Sequence, residues 1–114
     1  MRWLPLDDLS QLEQIVCQSR EHPVLIFKHS TRCNISAMVK DRLERQWDSL
    51  PASIILYYLD LINYRDISGM IAERFHVYHE SPQVLLISAG ECIYEESHNG
   101  ISVKEISLQL SNAN

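Results

Sequence analysis

The sequence contains very little glycine, and this scarcity excludes two classes of nucleotide-binding site. Its three glycines are Gly69, Gly90 and Gly100. Neither the Walker phosphate loop nor the G-x-G-x-x-G dinucleotide turn can be written with glycines at these positions. We therefore expect no phosphate-cradling loop of either kind.

Positive charge is also scarce. Ten lysine and arginine residues stand against fifteen aspartate and glutamate residues, which gives a net charge of −5 at pH 7. No segment gathers the basic residues into a face that could follow a phosphate backbone. Nucleic acid is therefore not an expected partner.

The sequence has no long apolar run. The longest covers residues 54–59, far short of the ~20 residues that a membrane-spanning helix needs. Near the N-terminus, Asp7 and Asp8 interrupt the chain before the apolar part of a signal peptide can form. We expect no membrane partner and a cytoplasmic location, where thiols stay reduced.

Cysteine occurs three times, as Cys17, Cys33 and Cys92, without a C-x-x-C pair. These cysteines have neither the spacing of a disulfide framework nor that of a metal site, so no metal is expected. Cys17 falls in a predicted helix and Cys92 in a predicted hairpin. We interpret both as incidental, partly buried thiols.

The 114 residues suffice for one domain, and we treat residues 1–114 as a single domain whose hydrophobic fraction of 46% can fill one core. Apolar spacing predicts helices over residues 7–20 and 33–48, and buried strands over residues 23–29 and 54–61. The two strands, joined through the second helix, form a right-handed βαβ unit.

The second half of the chain predicts antiparallel structure. Its first element is a third helix, marked by Ile67, Met70, Ile71 and Phe75, with Asn63 as a possible cap and an end near His76. Strands 84–87 and 92–95 follow, joined by a turn at residues 89–91. Ser102 and Glu105 form a capping box that opens the last helix. The predicted order is α-β-α-β-α-β-β-α, an α/β fold with a mixed four-stranded sheet and an N-terminal helix.

Cys33 lies where a buried strand is predicted to pass into a helix, with Ser30 or Thr31 as the predicted N-cap. The unpaired N–H groups of a first helical turn stabilise a thiolate, and Arg32 adds a neighbouring cation. The alternative is that Cys33 is a small buried side chain that merely begins the helix. His29, late in the strand, is either a hydrogen-bonded inner-face histidine or a proton carrier.

Several segments resemble the YtxJ family, the monothiol bacilliredoxins. They are residues 27–36 (Phe-Lys-His-Ser-Thr-Arg-Cys-Asn-Ile-Ser), residues 79–83 (His-Glu-Ser-Pro-Gln) and the pair Ser97-His98. Residues 71–83 also resemble the helix, short link and cis-proline loop of the thioredoxin-like superfamily. The resemblance implies a thioredoxin-like three-layer α/β/α fold.

The resemblance also implies roles for individual residues. Cys33 corresponds to the nucleophile, which attacks a mixed disulfide between a protein and bacillithiol and takes the small thiol onto itself. Ser36 stands where dithiol relatives have a resolving cysteine, so a second thiol must come from solution. Pro82 corresponds to the cis-proline beside Ser81, where backbone groups meet substrate. Asn34 departs from the family, which commonly has proline there.

Further residues are candidates by the same resemblance. Thr31, Arg32, Asn34 and Ser36 would support the nucleophile. Bacillithiol carries carboxylates, so Arg32, Lys28 and His98 are candidates to contact it. A solvated charge or a loop hydrogen bond is the alternative for each of the three, and we favour it for Lys28.

The predicted function is that of a monothiol thiol–disulfide oxidoreductase. Its partners would be S-thiolated proteins and a low-molecular-weight thiol, and it would need no bound cofactor. One alternative is a non-catalytic thioredoxin-like module that binds a partner or senses thiols. The other is an iron–sulfur carrier that uses its single active cysteine.

Overall fold

The computed structural model describes residues 1–112. Its strands and helices in chain order are β1 (Leu4–Pro5), α1 (Gln11–Gln18), β2 (Val24–His29), α2 (Asn34–Gln46), β3 (Ile55–Asp60), α3 (Arg65–Phe75), β4 (Gln83–Ser88), β5 (Glu91–Ser97) and α4 (Val103–Asn112). Short 3-10 turns occupy Trp47–Ser49 and His98–Gly100. No helix within residues 1–112 is long and apolar enough to cross a bilayer.

One mixed sheet contains all five strands, in the order β1-β3-β2-β4-β5. Strands β1 and β2 run parallel to β3, whereas β4 is antiparallel to both β2 and β5. The prediction of four strands is wrong because it lacks β1, in which Leu4 pairs with Tyr57 and Pro5 with Tyr58. Proline is tolerated there because β1 is an edge strand.

The two faces of the sheet bury separate cores, because successive side chains of a strand point to opposite faces. Val24 and Ile26 of β2 pack with residues of α1 and α3. Leu25 and Phe27 pack with residues of α2 and α4. The sheet is thus the middle layer between two pairs of helices, as the three-layer prediction requires.

Helix α1 begins at Gln11, later than the predicted residue 7. The side-chain oxygen of Gln11 accepts the N–H groups of Asp7 and Asp8 at 2.8 and 2.9 Å. Asp8 in turn accepts the N–H of Ser10 at 2.8 Å. These acidic residues therefore form a turn ahead of the helix, since side chains that bond nearby backbone groups compete with helix formation.

The predicted cap of α3, Asn63, is wrong. The N-cap residue is Tyr64, because the Asn63 side chain donates to Asp60 Oδ2 at 2.7 Å in the turn before the helix.

Three other predicted turns and helix ends are confirmed. His76 ends α3 in the left-handed conformation, with φ 57°. The hairpin turn places Ala89 and Gly90 at φ 51° and 80°. At the start of α4, the Glu105 N–H donates to Ser102 Oγ at 3.2 Å.

Candidate active site

Cys33 lies just beyond the C-terminal end of β2, the central strand, where the chain passes into helix α2. The Cys33 N–H donates to the Ser30 carbonyl at 3.1 Å, and the Cys33 carbonyl accepts the N–H of Ala37 at 3.1 Å. Cys33 is itself the N-cap residue of α2, with φ −110° and ψ 120°. The prediction of Ser30 or Thr31 as the cap is therefore wrong, because the loop turns once more before the helix begins.

The Cys33 thiol lies at the positive end of a helix dipole. Its side chain is partly exposed, and the first residue of the 13-residue helix is the exposed Asn34. The free N–H groups of such a first turn stabilise a thiolate. Thr31 and Arg32 are both exposed in the adjoining loop, so the cation of Arg32, the residue before Cys33, is open to solvent.

Ser36 is fully buried and fastens the loop that carries Cys33. Its hydroxyl lies 2.6 Å from His29 Nδ1 and accepts the Ser30 N–H at 3.1 Å. The hydroxyl therefore joins the His29 ring of β2 to the Ser30 backbone of the loop through two hydrogen bonds. His29 is thus the hydrogen-bonded inner-face histidine of the two interpretations.

The electrostatic state of His29 follows from its surroundings. Burial lowers the pKa of His29, and the Lys40 ammonium lowers it further. The ring also lies 5.5 Å from the Tyr58 ring and 5.6 Å from the Phe27 ring. The lowered pKa keeps the His29 imidazole neutral at pH 7.

The Ser81–Pro82 peptide bond is cis, as the resemblance implies. Gln83 follows this bond and pairs with Lys28 in the β2–β4 register. Pro82 therefore lies at the end of the sheet where β2 ends. Ser81 Oγ is buried and has no hydrogen-bond partner within residues 1–112. The fold therefore brings the Ser81–Pro82 pair to the same end of the sheet as Cys33.

His98 lies beside this loop. Its N–H donates to the Pro82 carbonyl at 2.9 Å, and its Nε2 lies 3.4 Å from Glu80 Oε2. The 3-10 turn that begins at His98 is held by Arg42, which donates to the Asn99 and Ile101 carbonyls at 3.2 and 3.0 Å. Of the predicted substrate-binding residues, His98 thus lies beside the Glu80 carboxylate. We call the surface between the Ser81–Pro82 loop and Cys33 the substrate groove.

Lys28 lies on the other face of the sheet from Ser36 and is fully buried. Its Nζ donates to the Ser68 carbonyl of α3 and to His79 Nδ1, both at 3.3 Å. The interpretation as a solvated charge is wrong, because alternation along β2 turns this side chain into the core under α3. The hydrogen bond to the loop residue His79 agrees with the other favoured alternative.

Cys92 lies at the far end of the sheet from Cys33. It pairs with Ile87, which pairs in turn with Val24, the first residue of β2. The length of β2 separates the two ends by about 16 Å at roughly 3.3 Å per residue. Cys92 Sγ donates to the Tyr94 carbonyl at 3.3 Å, and burial raises the pKa of the Cys92 thiol.

Cys17 lies at the same far end. The Ala89 N–H donates to the carbonyl of Ser19, and the Gly90 N–H to its hydroxyl, both at 2.8 Å. The end of α1 that contains Cys17 therefore packs at the β4–β5 turn. Cys17 is exposed, so the prediction of a partly buried thiol is wrong for this residue and confirmed for Cys92.

No three His, Cys, Asp or Glu side chains within the described residues are grouped so that they could hold a metal ion. The sequence indicated two roles for His29 without showing its partner Ser36, and it placed Gln83 in a family-like segment without showing that Gln83 is buried. A histidine seven residues before a small polar residue carries no periodic signal, because the contact depends on how the loop folds back.

In this structure a cysteine caps the helix that follows a central strand, and a cis-proline lies at the same end of the sheet. This arrangement is typical of thioredoxin-like redox proteins. The family model "Monothiol bacilliredoxin BrxC" matches residues 4–106. The chain therefore belongs to the monothiol bacilliredoxin family.

Solved structures agree with this fold. A candidate oxidoreductase with a thioredoxin fold is 30% identical, with a TM-score of 0.79, 94% of this chain covered and 92% of that one. Thioredoxin from Malassezia sympodialis is 14% identical, with a TM-score of 0.75 and 99% and 92% covered. Thioredoxin from Fasciola hepatica is 13% identical, with a TM-score of 0.74 and 97% and 98% covered. At the level of class, the protein is a thiol redox protein of the thioredoxin type.

Proposed function

We propose that this protein is a monothiol thiol–disulfide oxidoreductase that removes bacillithiol, or a similar low-molecular-weight thiol, from mixed disulfides on proteins. The observation that carries the proposal is that Cys33 caps α2 at the groove edge, while Cys17 and Cys92 lie at the opposite end of the sheet. The proposed partners are S-thiolated proteins and the small thiol, in the cytoplasm.

The first step is thiol–disulfide exchange. The Cys33 thiolate attacks the bacillithiol sulfur of the mixed disulfide, so that a Cys33–bacillithiol bond forms and the protein–bacillithiol bond breaks. The electron pair of the broken bond leaves on the protein sulfur, which takes a proton from water. The protein cysteine is thereby reduced, and Cys33 becomes a mixed disulfide.

The second step needs a thiol from solution. A hydroxyl at Ser36 cannot close a disulfide, and the other two cysteines are a sheet length away. A second low-molecular-weight thiolate attacks the bacillithiol sulfur on Cys33, forms the small-molecule disulfide and releases the Cys33 thiolate. Each cycle therefore consumes one free small thiol, which leaves joined to the bacillithiol removed from the protein as one small-molecule disulfide.

The groove supplies alignment. A lower thiol pKa raises the thiolate fraction but makes each thiolate less nucleophilic, so the net gain in rate at neutral pH is only about threefold. Holding the three sulfurs in line therefore contributes more to the rate. Backbone groups beside the cis Ser81–Pro82 bond are the proposed partners of a bound disulfide segment. Arg32 is the exposed cation beside the thiol, suited to a bacillithiol carboxylate on a protein of net charge −5.

The test is transfer of the small thiol. A bacillithiolated model protein is incubated with wild type, with Cys33→Ala and with the Cys17→Ala/Cys92→Ala double variant, and each is followed by intact mass. Wild type and the double variant should gain one bacillithiol, and Cys33→Ala should gain none.

Two results would contradict the proposal. If wild type gains no adduct and Cys33 resists iodoacetamide at neutral pH, the protein is a binding module. If the purified protein is coloured and loses its colour in Cys33→Ala, it carries an iron–sulfur cluster.

A further inference from the structure

Lys28 and Gln83 are two fully buried polar side chains that lie side by side on neighbouring strands. They are direct partners in the antiparallel β2–β4 pair, so both side chains lie on the same face. A buried ammonium or amide is costly unless it is hydrogen-bonded. The identity of their hydrogen-bond partners therefore shows what the pair holds in place.

Lys28 joins β2 to two other segments. Its Nζ donates to the Ser68 carbonyl in α3 and to His79 Nδ1, each at 3.3 Å. Ser68 Oγ lies 3.0 Å from the same Nδ1. The His79 ring is thereby held against α3 by two separate side chains.

Gln83 bonds the backbone on either side of His79. Its Nε2 donates to the Tyr78 carbonyl at 3.0 Å and to Glu95 Oε2 at 3.4 Å. Its Oε1 accepts the Glu80 N–H at 3.4 Å. The amide therefore takes the place of a strand partner for residues 78 and 80.

The contacts converge on three consecutive residues, 78–80, which lie in neither a helix nor a strand. This segment runs directly into the cis Ser81–Pro82 bond. Without a backbone ladder, the path of residues 78–80 is set by side chains that bond to it. The Lys28–Gln83 pair supplies such bonds from the face of the sheet that packs against α3.

We propose that Lys28 and Gln83 are positioning residues for the substrate groove, which hold residues 78–80 and so fix Ser81–Pro82 opposite Cys33. This inference rests on the proposed function for its kinetic consequence. Lys28 and Cys33 lie on different sides of the sheet, so loss of the lysine leaves the thiol's own surroundings unchanged. Substrates that need the groove should be affected, and a small disulfide should not.

The first experiment does not depend on the proposed function. Backbone ¹⁵N order parameters of residues 78–81 are measured in wild type, Lys28→Met, Gln83→Leu and the control Ile26→Val. Ile26 is a buried β2 residue on the same face as Lys28. We expect the order parameters to fall from about 0.85 to below about 0.6 in the first two variants and to stay unchanged in the control.

The second experiment measures kinetics. In removal of bacillithiol from a model protein, Lys28→Met and Gln83→Leu should raise KM at least fivefold with kcat within twofold of wild type. Their rates with 5,5′-dithiobis(2-nitrobenzoic acid), a small disulfide, should stay within twofold. Ile26→Val should change neither constant. Should either polar variant fail to fold, His79→Ala removes the exposed acceptor of Lys28 and should loosen the same segment.

The outcomes separate the two proposals. If wild type does not turn over, the proposed function fails, while the order parameters still decide the positioning role. If Lys28→Met and Gln83→Leu keep wild-type order parameters, the positioning role is wrong. Where one of them does not fold, unchanged order parameters in His79→Ala overturn it. An equal rise of KM in Ile26→Val would also overturn it, because lost packing alone would then explain the effect.

Discussion

His29 Nδ1 and Ser36 Oγ lie 2.6 Å apart, and this contact ties the end of β2 to the first turn of α2. The same hydroxyl accepts the Ser30 N–H. The loop that carries Cys33 is thus held at its buried base, while its tip stays open to solvent. A fixed loop with an exposed thiol is the arrangement that in-line attack on a disulfide requires.

Ser36→Ala should destabilise the protein. The change leaves His29 Nδ1 and the Ser30 N–H without their partner, and an unsatisfied buried group costs about 1–3 kcal/mol. Urea denaturation followed by tryptophan fluorescence measures the free energy of unfolding. Ser49→Ala is the matched control, because its hydroxyl bonds the Gln46 carbonyl at an exposed position and should cost about 0.5 kcal/mol or less. Equal losses in the two variants would contradict the role assigned to Ser36.

Asn34→Pro should stabilise the protein by about 0.4–1 kcal/mol. Asn34 is the first residue of α2, where proline is favoured because that N–H has no partner within the helix. The preceding Cys33 already has the extended backbone that a following proline requires. Urea denaturation at pH 7 checks this, and a loss of stability would mean that the Asn34 N–H or side chain stabilises the native loop.

Cys92 should be the slowest of the three cysteines to alkylate. It is partly buried, its Sγ bonds the Tyr94 carbonyl, and burial raises its pKa. Fewer thiolates at pH 7 mean slower attack. Timed iodoacetamide labelling with peptide mapping gives the three rates. Labelling of Cys92 at or above the rate of the exposed Cys17 would refute the prediction.

Lys28 should make the protein more stable as pH rises above 8. Burial lowers the pKa of Lys28 from 10.5 to about 8, so between these values the unfolded chain binds more protons and the free energy of unfolding rises with pH. The full window is worth about 3 kcal/mol at 1.36 kcal/mol for each pKa unit. His79, Arg65, Glu80 and Glu95 are the charged or titratable groups around the Lys28–Gln83–His79 cluster.

The measurement compares wild type with Lys28→Met by urea denaturation from pH 7 to pH 10. Groups such as Tyr58 and Cys92 titrate in both proteins and cancel in the difference. The free energy of wild type minus that of the variant should increase across the range. A constant difference would show that Lys28 titrates normally in the folded protein.

Elements with a local signal could be predicted. His76 ends α3 and Ser102 caps α4 as expected, because both depend on neighbouring residues alone. Strand β1 could not be predicted, since two residues show no periodicity and the strand exists only through pairing with β3. The cap of α2 was misplaced because the turn from Ser30 to Cys33 moves the helix start past the expected residues.

The candidate site divides in the same way. The segment around Cys33 and the motif before Pro82 are contiguous in sequence, so their resemblance to a family could be seen directly. The partnership of Ser36 with His29 could not, because it depends on the loop folding back over the strand. The buried position of Lys28 also escaped prediction, since nothing local shows which face of the sheet a given residue of an apolar strand joins.

The sequence by itself determined that one cysteine has a helix-opening, motif-embedded position and that no second cysteine stands three residues away. Only the tertiary structure decided that Cys17 and Cys92 lie a sheet length from Cys33, and that Lys28 and Gln83 meet beneath the cis-proline loop. The physical reason is strand register. Hydrogen bonding between strands fixes which distant residues become neighbours, and no local pattern in the chain encodes that choice.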